Sequence, residues 1–296
     1  MARVVPVDAA FEGFRIIRDR PGLILTWTAI YFLSVLAMVL ILLVPNLGTL
    51  QAATHGGGER NIEELWARFG PSILIVLAMA LVLVTVLPGA VFRSVLRPAD
   101  RSFAYIKFGA DEWRMLGLYL FLVLIFSIAS AAYGAVAVFA LRLSGPAEWL
   151  IGGLATVGGV AFIGWLFVRL ALAGPVVVAD EKLAIGRAWK LTRGEFWQLV
   201  GTLLLSVVFY FGVLLLALII SVIVAKLFGG FSLLGELTQP AGGVRITQTE
   251  ALAGIALVLL QQAIWTLLIV LWLVIFSAAP ARALQQLRGG PVQPGL

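Results

Sequence analysis

Polar and apolar positions along this chain separate into long blocks. Uncharged, predominantly apolar windows run over 21–58, 69–92, 115–141, 149–168, 196–225 and 251–281. Each holds about 20 residues or more, and at ~1.5 Å rise per residue that length crosses the ~30 Å hydrocarbon core of a bilayer. A membrane barrel would need a polar residue at every second position, whereas stretches such as Val35 to Val44 are continuously apolar. Lipid offers no partner to a backbone N–H or C=O, so a helical bundle is the reading that remains. The pattern predicts an all-α polytopic membrane protein. Residues 1–296 form a single transmembrane domain of six helices in three hairpins, each hairpin preceded by a short interfacial amphipathic helix.

The first of these short segments is the clearest. Asp8, Glu12, Arg15 and Asp19 recur at helical spacing, with Ala10, Phe11, Phe14 and Ile17 on the other side, and Pro21-Gly22 ends the run. Its charges nearly balance, so the expectation is a helix lying in the headgroup plane and held there by Phe11, Phe14 and Ile17. The second segment sets Phe103, Ile106 and Trp113 against Asp100, Lys107, Asp111 and Arg114. The third sets Ile185, Ala188 and Trp189 against Arg187 and Lys190. Such segments either anchor the bundle as elbows at the interface or sense lipid and dock a partner.

The hairpins also end alike. The even-numbered spans close on proline among small residues, in Leu87-Pro88-Gly89-Ala90, Ala173-Gly174-Pro175 and Ala278-Ala279-Pro280-Ala281. An aromatic residue with a basic neighbour precedes each odd-numbered span, in Phe14-Arg15, Tyr105-Ile106-Lys107 and Trp189-Lys190, and in the latter two a tryptophan follows eight residues on, at Trp113 and Trp197. Repeat units of 8–97, 98–180 and 181–288 account for this. So would the interfacial tryptophans and helix-ending prolines that polytopic proteins share.

Composition agrees with the pattern: 61% of the 296 residues are hydrophobic and 12% charged, with a mean hydropathy of +1.06. These values exclude a water-soluble fold of this size. A polar segment precedes the first span, whose apolar run exceeds that of a signal peptide, so this span is expected to stay in the mature protein. There is no cysteine, which removes disulfides, thiolate nucleophiles, iron–sulfur clusters and thiolate zinc sites. The richness in Arg, Ala, Gly and Leu suggests a high-GC bacterial genome.

Orientation follows from the basic residues. Fifteen lie on one side: Arg3, Arg15, Arg18 and Arg20; Arg93, Arg97, Arg101, Lys107 and Arg114; Lys182, Arg187, Lys190 and Arg193; Arg282 and Arg288. Five lie on the other (Arg60, Arg68, Arg142, Lys226 and Arg245), and Arg169 falls inside a span. The positive-inside rule places both termini in the cytoplasm and His55, Glu148 and Arg245 in the periplasm. The formal charge of +6 then belongs to this asymmetry, and the partners it implies are anionic headgroups on the cytoplasmic face and not nucleic acid. A second copy or another membrane protein is a further class of partner.

Six spans behind an N-terminal amphipathic segment, with Ala-Trp-Lys-Leu-Thr-Arg-Gly-Glu-Phe-Trp at 188–197, resemble the membrane domain found in front of bacterial glycerophosphodiester phosphodiesterases and its stand-alone YciC-like relatives. The likeness spans most of the chain but rests on hydropathy and one short segment. In that resemblance the phosphodiesterase chemistry belongs to a separate soluble barrel with His and acidic metal ligands. No such barrel is present before Leu296, so the activity does not carry over.

The chain offers little chemistry of its own. His55, the one histidine, neighbours Gly56-Gly57-Gly58 and Glu59, Glu63 and Glu64. A zinc site usually wants more than one nitrogen or sulfur ligand at defined spacing, so a solvated loop histidine is the simpler reading. The glycines are not followed by Gly-Lys-Ser/Thr and form no P-loop. Asp111-Glu112 and Asp180-Glu181 are adjacent acids on flanks, and no Ser-His-Asp or Ser-Lys arrangement exists. No catalytic, metal or cofactor site is predicted.

Four residues form the candidate polar intramembrane site: Arg169, Tyr210, Gln261 and Gln262. A charge at the bilayer centre costs ~2.5 to 3.5 kcal/mol, so an intramembrane arginine is a functional candidate, although Arg169 could also snorkel to nearby headgroups. The glutamines are expected to bond between helices. Gly152, Gly153, Gly158, Gly159 and Gly164 predict a close-packed fourth span at the centre of the bundle. The functional expectation is a non-enzymatic integral protein of the bacterial inner membrane serving lipid or envelope homeostasis. The alternative is a small transporter or channel with a polar path near Arg169 and Gln262.

Overall fold

The computed structural model describes residues 3–46, 62–100, 102–140, 146–227 and 248–289. The helices are α1 (Pro6–Asp19), α2 (Pro21–Leu43), α3 (Ile62–Leu96), α4 (Ala110–Ala140), α5 (Pro146–Leu170), α6 (Ala173–Asp180), α7 (Ile185–Gly194), α8 (Phe196–Leu227) and α9 (Gln248–Leu287), with single 3-10 turns at Val44–Asn46 and Phe103–Tyr105. No strand occurs among the described residues. Six segments are long and apolar enough to span: Pro21–Asn46, Trp66–Leu96, Phe103–Val136, Leu150–Asp180, Phe196–Leu227 and Ala253–Leu287. The chain is an all-α polytopic membrane protein. The hydroxyls of Thr26, Thr28, Ser34, Thr85, Thr202 and Ser206 donate to carbonyls one turn back on their own helices, so these polar groups are satisfied without water.

The described chain divides into two compact units. The first comprises residues 1–15, 81–206 and 275–296, and the second 16–80 and 207–274. The core of the first unit is made by the proline-bearing ends of the even-numbered spans. Leu87, Ala90 and Val91 of α3, Ala173, Val176 and Val177 of α6, and Ala278, Ala279 and Ala281 of α9 are buried almost completely. Small residues let the backbones close: a Cβ on Gly174 would stand 2.7 Å from the Phe92 ring. Gln285 of α9 donates to the Val95 carbonyl of α3, and Arg97, just past the end of α3, to the Val178 carbonyl of α6. In the second unit Trp27, Leu268, Val270 and Val274 are buried, while Leu25, Leu33, Leu74, Val208 and Leu215 are exposed.

Burial alternates along the chain. The most apolar windows of the second, fourth and sixth spans are 33%, 44% and 28% buried, against 6%, 11% and 11% for the first, third and fifth. In the fourth span this burial comes from its end, Leu166 to Val178, and not from the glycines. A Cβ on Gly153, Gly158 or Gly164 would meet nothing within 4 Å, while Gly159 packs closely under the Tyr133 ring. The expectation that the glycine run makes a close-packed centre is therefore corrected: without large neighbours opposite them, small residues leave a helix face open.

The three short segments take three forms. α1 is a helix, with Pro6 opening it, Asp8 in its first turn and Arg18 in its last. Within it Asp8 and Arg15 are buried against protein, whereas Phe11, Phe14 and Ile17 are half-buried and Arg18 and Asp19 exposed. Asp8 faces protein because α9 supplies partners for it. The second segment is not a helix but one 3-10 turn with Ala104 and Tyr105 at φ 50° and 58°, followed by extended chain. Two claims on its backbone explain this. Arg93 Nε takes the Tyr105 carbonyl at 2.8 Å, and Glu112, third residue of α4, reaches back to the Gly109 N–H at 2.8 Å as in a capping box. The third segment, α7, buries Ala188 and Thr192 and exposes Arg187, Lys190 and Arg193.

Candidate functional site

Arg169 stands in the last turn of α5, one turn after Trp165. α7 brings Trp189 beside it and the first residue of α8 brings Phe196. The guanidinium carbon lies 5.6 Å from the Trp165 ring centre, 5.5 Å from Trp189 and 5.4 Å from Phe196. Trp165 and Trp189 brace each other edge to face at 5.4 Å. Fully buried Thr192 donates to the carbonyls of Trp189 and Arg169, tying α7 to the end of α5.

This box stabilises a charge without satisfying its hydrogen bonds. A ring facing a guanidinium contributes ~0.5 to 1 kcal/mol when exposed and ~2 when desolvated, so three together can offset the ~2.5 to 3.5 kcal/mol of placing arginine in the bilayer. Aromatic faces carry no lone pairs. Nε and Nη1 of Arg169 are sealed from solvent with no acceptor, while Nη2 is not sealed. A buried donor left unsatisfied costs ~1 to 3 kcal/mol, more when charged. The sequence singled out Arg169 but neither Trp189 nor Phe196 as its neighbours. Trp165, four residues earlier and hence on the same helix face, was the one local signal of the box.

The other three candidates lie in the second unit. Gln261 Nε2 donates 2.9 Å to the Ser221 carbonyl of α8, the expected interhelical bond. Gln262 Nε2 donates 3.3 Å to Thr266 Oγ1 on its own helix. Tyr210 is half-buried on α8.

Ionic chemistry concentrates in the first unit. Asp8 forms an ion pair with Arg15 at 2.6 Å and accepts from Arg282 Nε at 3.2 Å and from Gln286 Nε2 at 2.6 Å, and Gln286 Oε1 in turn takes the Val5 N–H. Burial opposes the Arg15 charge, but hydrogen bonds to Asp8 and Glu12 outweigh it and hold the guanidinium above its ordinary range. Arg93, almost fully buried, pairs with Glu112 at 2.6 Å. Arg97 pairs with Glu181 and Asp111, and Asp180 with Arg187 and Arg288. An open cavity of about 470 Å³ lies among Arg97, Arg282, Gln285 and Arg288, yet each of these arginines already has a carboxylate partner.

The acids of this unit are thus consumed internally. Every aspartate and glutamate of the first unit whose side chain is described is held by a residue of the chain. Four cations between 169 and 193 (Arg169, Lys182, Lys190 and Arg193) form no ion pair with a described residue. No cluster of three metal-ligating side chains occurs among the described residues, and His55, Arg245 and the side chain of Glu148 lie outside them. No protein-family model, curated protein or solved structure matches the chain.

Proposed function

We propose that the chain is a non-enzymatic integral protein of the bacterial inner membrane, with both termini in the cytoplasm, serving lipid or envelope homeostasis through contact with anionic headgroups of the cytoplasmic leaflet. The carrying observation is the surplus of positive charge at 169–193. Among the described residues, Asp180 and Glu181 pair with Arg187, Arg288 and Arg97, and Glu195 accepts only the Val4 N–H, which still leaves cations in excess; anionic phospholipids are the abundant counter-ions at a cytoplasmic membrane surface. The excess of fifteen basic residues over five supports the orientation. The likeness of 188–197 to the membrane domain associated with glycerophosphodiester phosphodiesterases supports the lipid setting, while the phosphodiester chemistry of that family stays with its soluble barrel.

Two measurements test this reading. Single cysteines placed at 55 and 190 of this cysteine-free chain are labelled with an impermeant thiol reagent in intact cells, and labelling at 190 but not at 55 would reverse the orientation. Removing the protein from its bacterium is expected to alter the phospholipid profile or envelope permeability. An unchanged envelope, with solute flux that disappears from proteoliposomes on Gln262→Leu, would establish the transporter instead.

A further inference from the structure

We propose that Arg169 is the centre of a binding site for the phosphate group of an anionic phospholipid, with Lys190 and Arg193 of α7 completing it. The proposal rests on the lipid-facing reading above and names its site. Three observations converge on residues 165–196. The guanidinium is positioned by Trp165, Trp189 and Phe196, so its fork is held in place before any ligand arrives. Its Nη2, unlike the sealed Nε and Nη1, is open to an acceptor from outside, and the side chain has no carboxylate partner among the described residues. A structural arginine of this burial would be expected to have one; a ligand-binding arginine has its acceptor supplied from outside.

The chemical class of that acceptor follows from the setting. A guanidinium matches the paired oxygens of a phosphate or carboxylate. Lys190 and Arg193 are exposed on α7 and form no ion pair with a described residue, and Arg193 lies one turn beyond Trp189 on the same stripe of that helix. Lys190 and Arg193 add positive charge on the helix that carries Trp189, and phosphate is the anion that every anionic phospholipid presents at a membrane surface. Exposed Trp197 and Leu183 flank the segment with apolar surface suited to the glycerol and upper acyl region of a lipid.

Purified full-length protein is titrated with phosphatidylglycerol and, separately, with phosphatidylcholine, and bound lipid is counted by native mass spectrometry. Phosphatidylglycerol is expected to bind in preference, and Arg169→Gln to weaken it at least about tenfold, the loss equivalent to one charge-assisted hydrogen bond. Arg169→Lys, which keeps the charge but not the fork, should fall between. Unchanged binding in Arg169→Gln overturns the site. If that variant does not insert, the surface change Lys190→Ser with Arg193→Ser decides, with weaker and less salt-dependent binding expected and unaltered binding overturning the proposal. Soluble glycerol phosphate that displaces the lipid at equal concentration would assign the site to a free phosphate ester and overturn the lipid assignment. A lost site with an envelope effect that persists would spare the broader function, whereas lipid binding without any envelope effect would fail that function and spare the site.

Discussion

In the first unit, Asp8, Arg15, Arg93, Glu112 and Arg282 are all buried as charges; in the second, the buried polar groups are Asn46, Ser72, Ser221 and Thr266, and no described charge is buried. The two units are built from the same apolar helices and differ in what those helices enclose. A buried ion survives only where a partner of opposite sign and further donors meet it, as Arg15, Arg282 and Gln286 meet Asp8. The second unit buries only uncharged groups, which cost far less than an ion when a partner is missing, as for the Ser221 hydroxyl. The contrast separates a polar, specifically wired part of a membrane protein from a part held by shape and lipid.

The largest expected effect tests the wiring. Arg282→Ala removes one of the two guanidinium partners of Asp8 and Glu12, leaving Arg15 and Gln286, and is expected to destabilise the first unit by about 1.5 to 3 kcal/mol, read as an earlier thermal unfolding transition in detergent and as labelling of a cysteine placed at position 5. Phe11→Ser with Phe14→Ser, at half-buried positions, should cost less. High salt should not release α1, because buried pairs are poorly screened. Release by salt alone, or a larger effect from the phenylalanines, would return the anchor to the lipid side.

Glycine substitutions sharpen the comparison next. A Cβ on Gly13 would stand 2.7 Å from the Ile275 Cα, whereas one on Gly212 or Gly254 would meet nothing within 4 Å. Gly13→Ala is expected to cost about 1 to 3 kcal/mol. Gly212→Ala and Gly254→Ala should be neutral or stabilising by up to about 1 kcal/mol, as alanine is the better helix former. Equal costs at all three positions, measured by unfolding in a mixed detergent series, would mean that both units pack alike.

Smaller effects follow. Gln261→Leu removes one interhelical bond and should cost about 0.6 kcal/mol, at most about 1.7, the range of such bonds between membrane helices. The exposed pair of Lys107 with Asp100 marks the lower end. The hydrogen bond from Lys107 holds the Asp100 carboxyl below its ordinary range, so whatever this pair contributes is present at neutral pH and lost only as pH falls through that lowered value. Lys107→Ala should leave unfolding at neutral pH unchanged. A measurable loss there would show that the turn at Phe103–Tyr105 depends on this pair as well as on Arg93.

Six spans and the all-α class were legible in the sequence because hydrocarbon thickness and backbone satisfaction leave no other solution for runs of this length. The proline-and-small-residue ends were legible as a pattern, but their convergence into one core was not, since composition does not say which small residue meets which large one. Gly174 found Phe92, while Gly164 found nothing. Arg169 was marked by its own chemistry, as a charge inside an apolar run always is. Its box of Trp165, Trp189 and Phe196 was decided only by the tertiary structure, which joins three elements through contacts that no local period encodes. The orientation of α1 shows the same division. Periodicity fixed two faces, one charged and one apolar, but which of them turned inward depended on Arg282 and Gln286, more than 250 residues away along the chain. A distant ion pair decides which residues of such a helix are buried against protein, because a charge is buried only where its partner and further donors meet it.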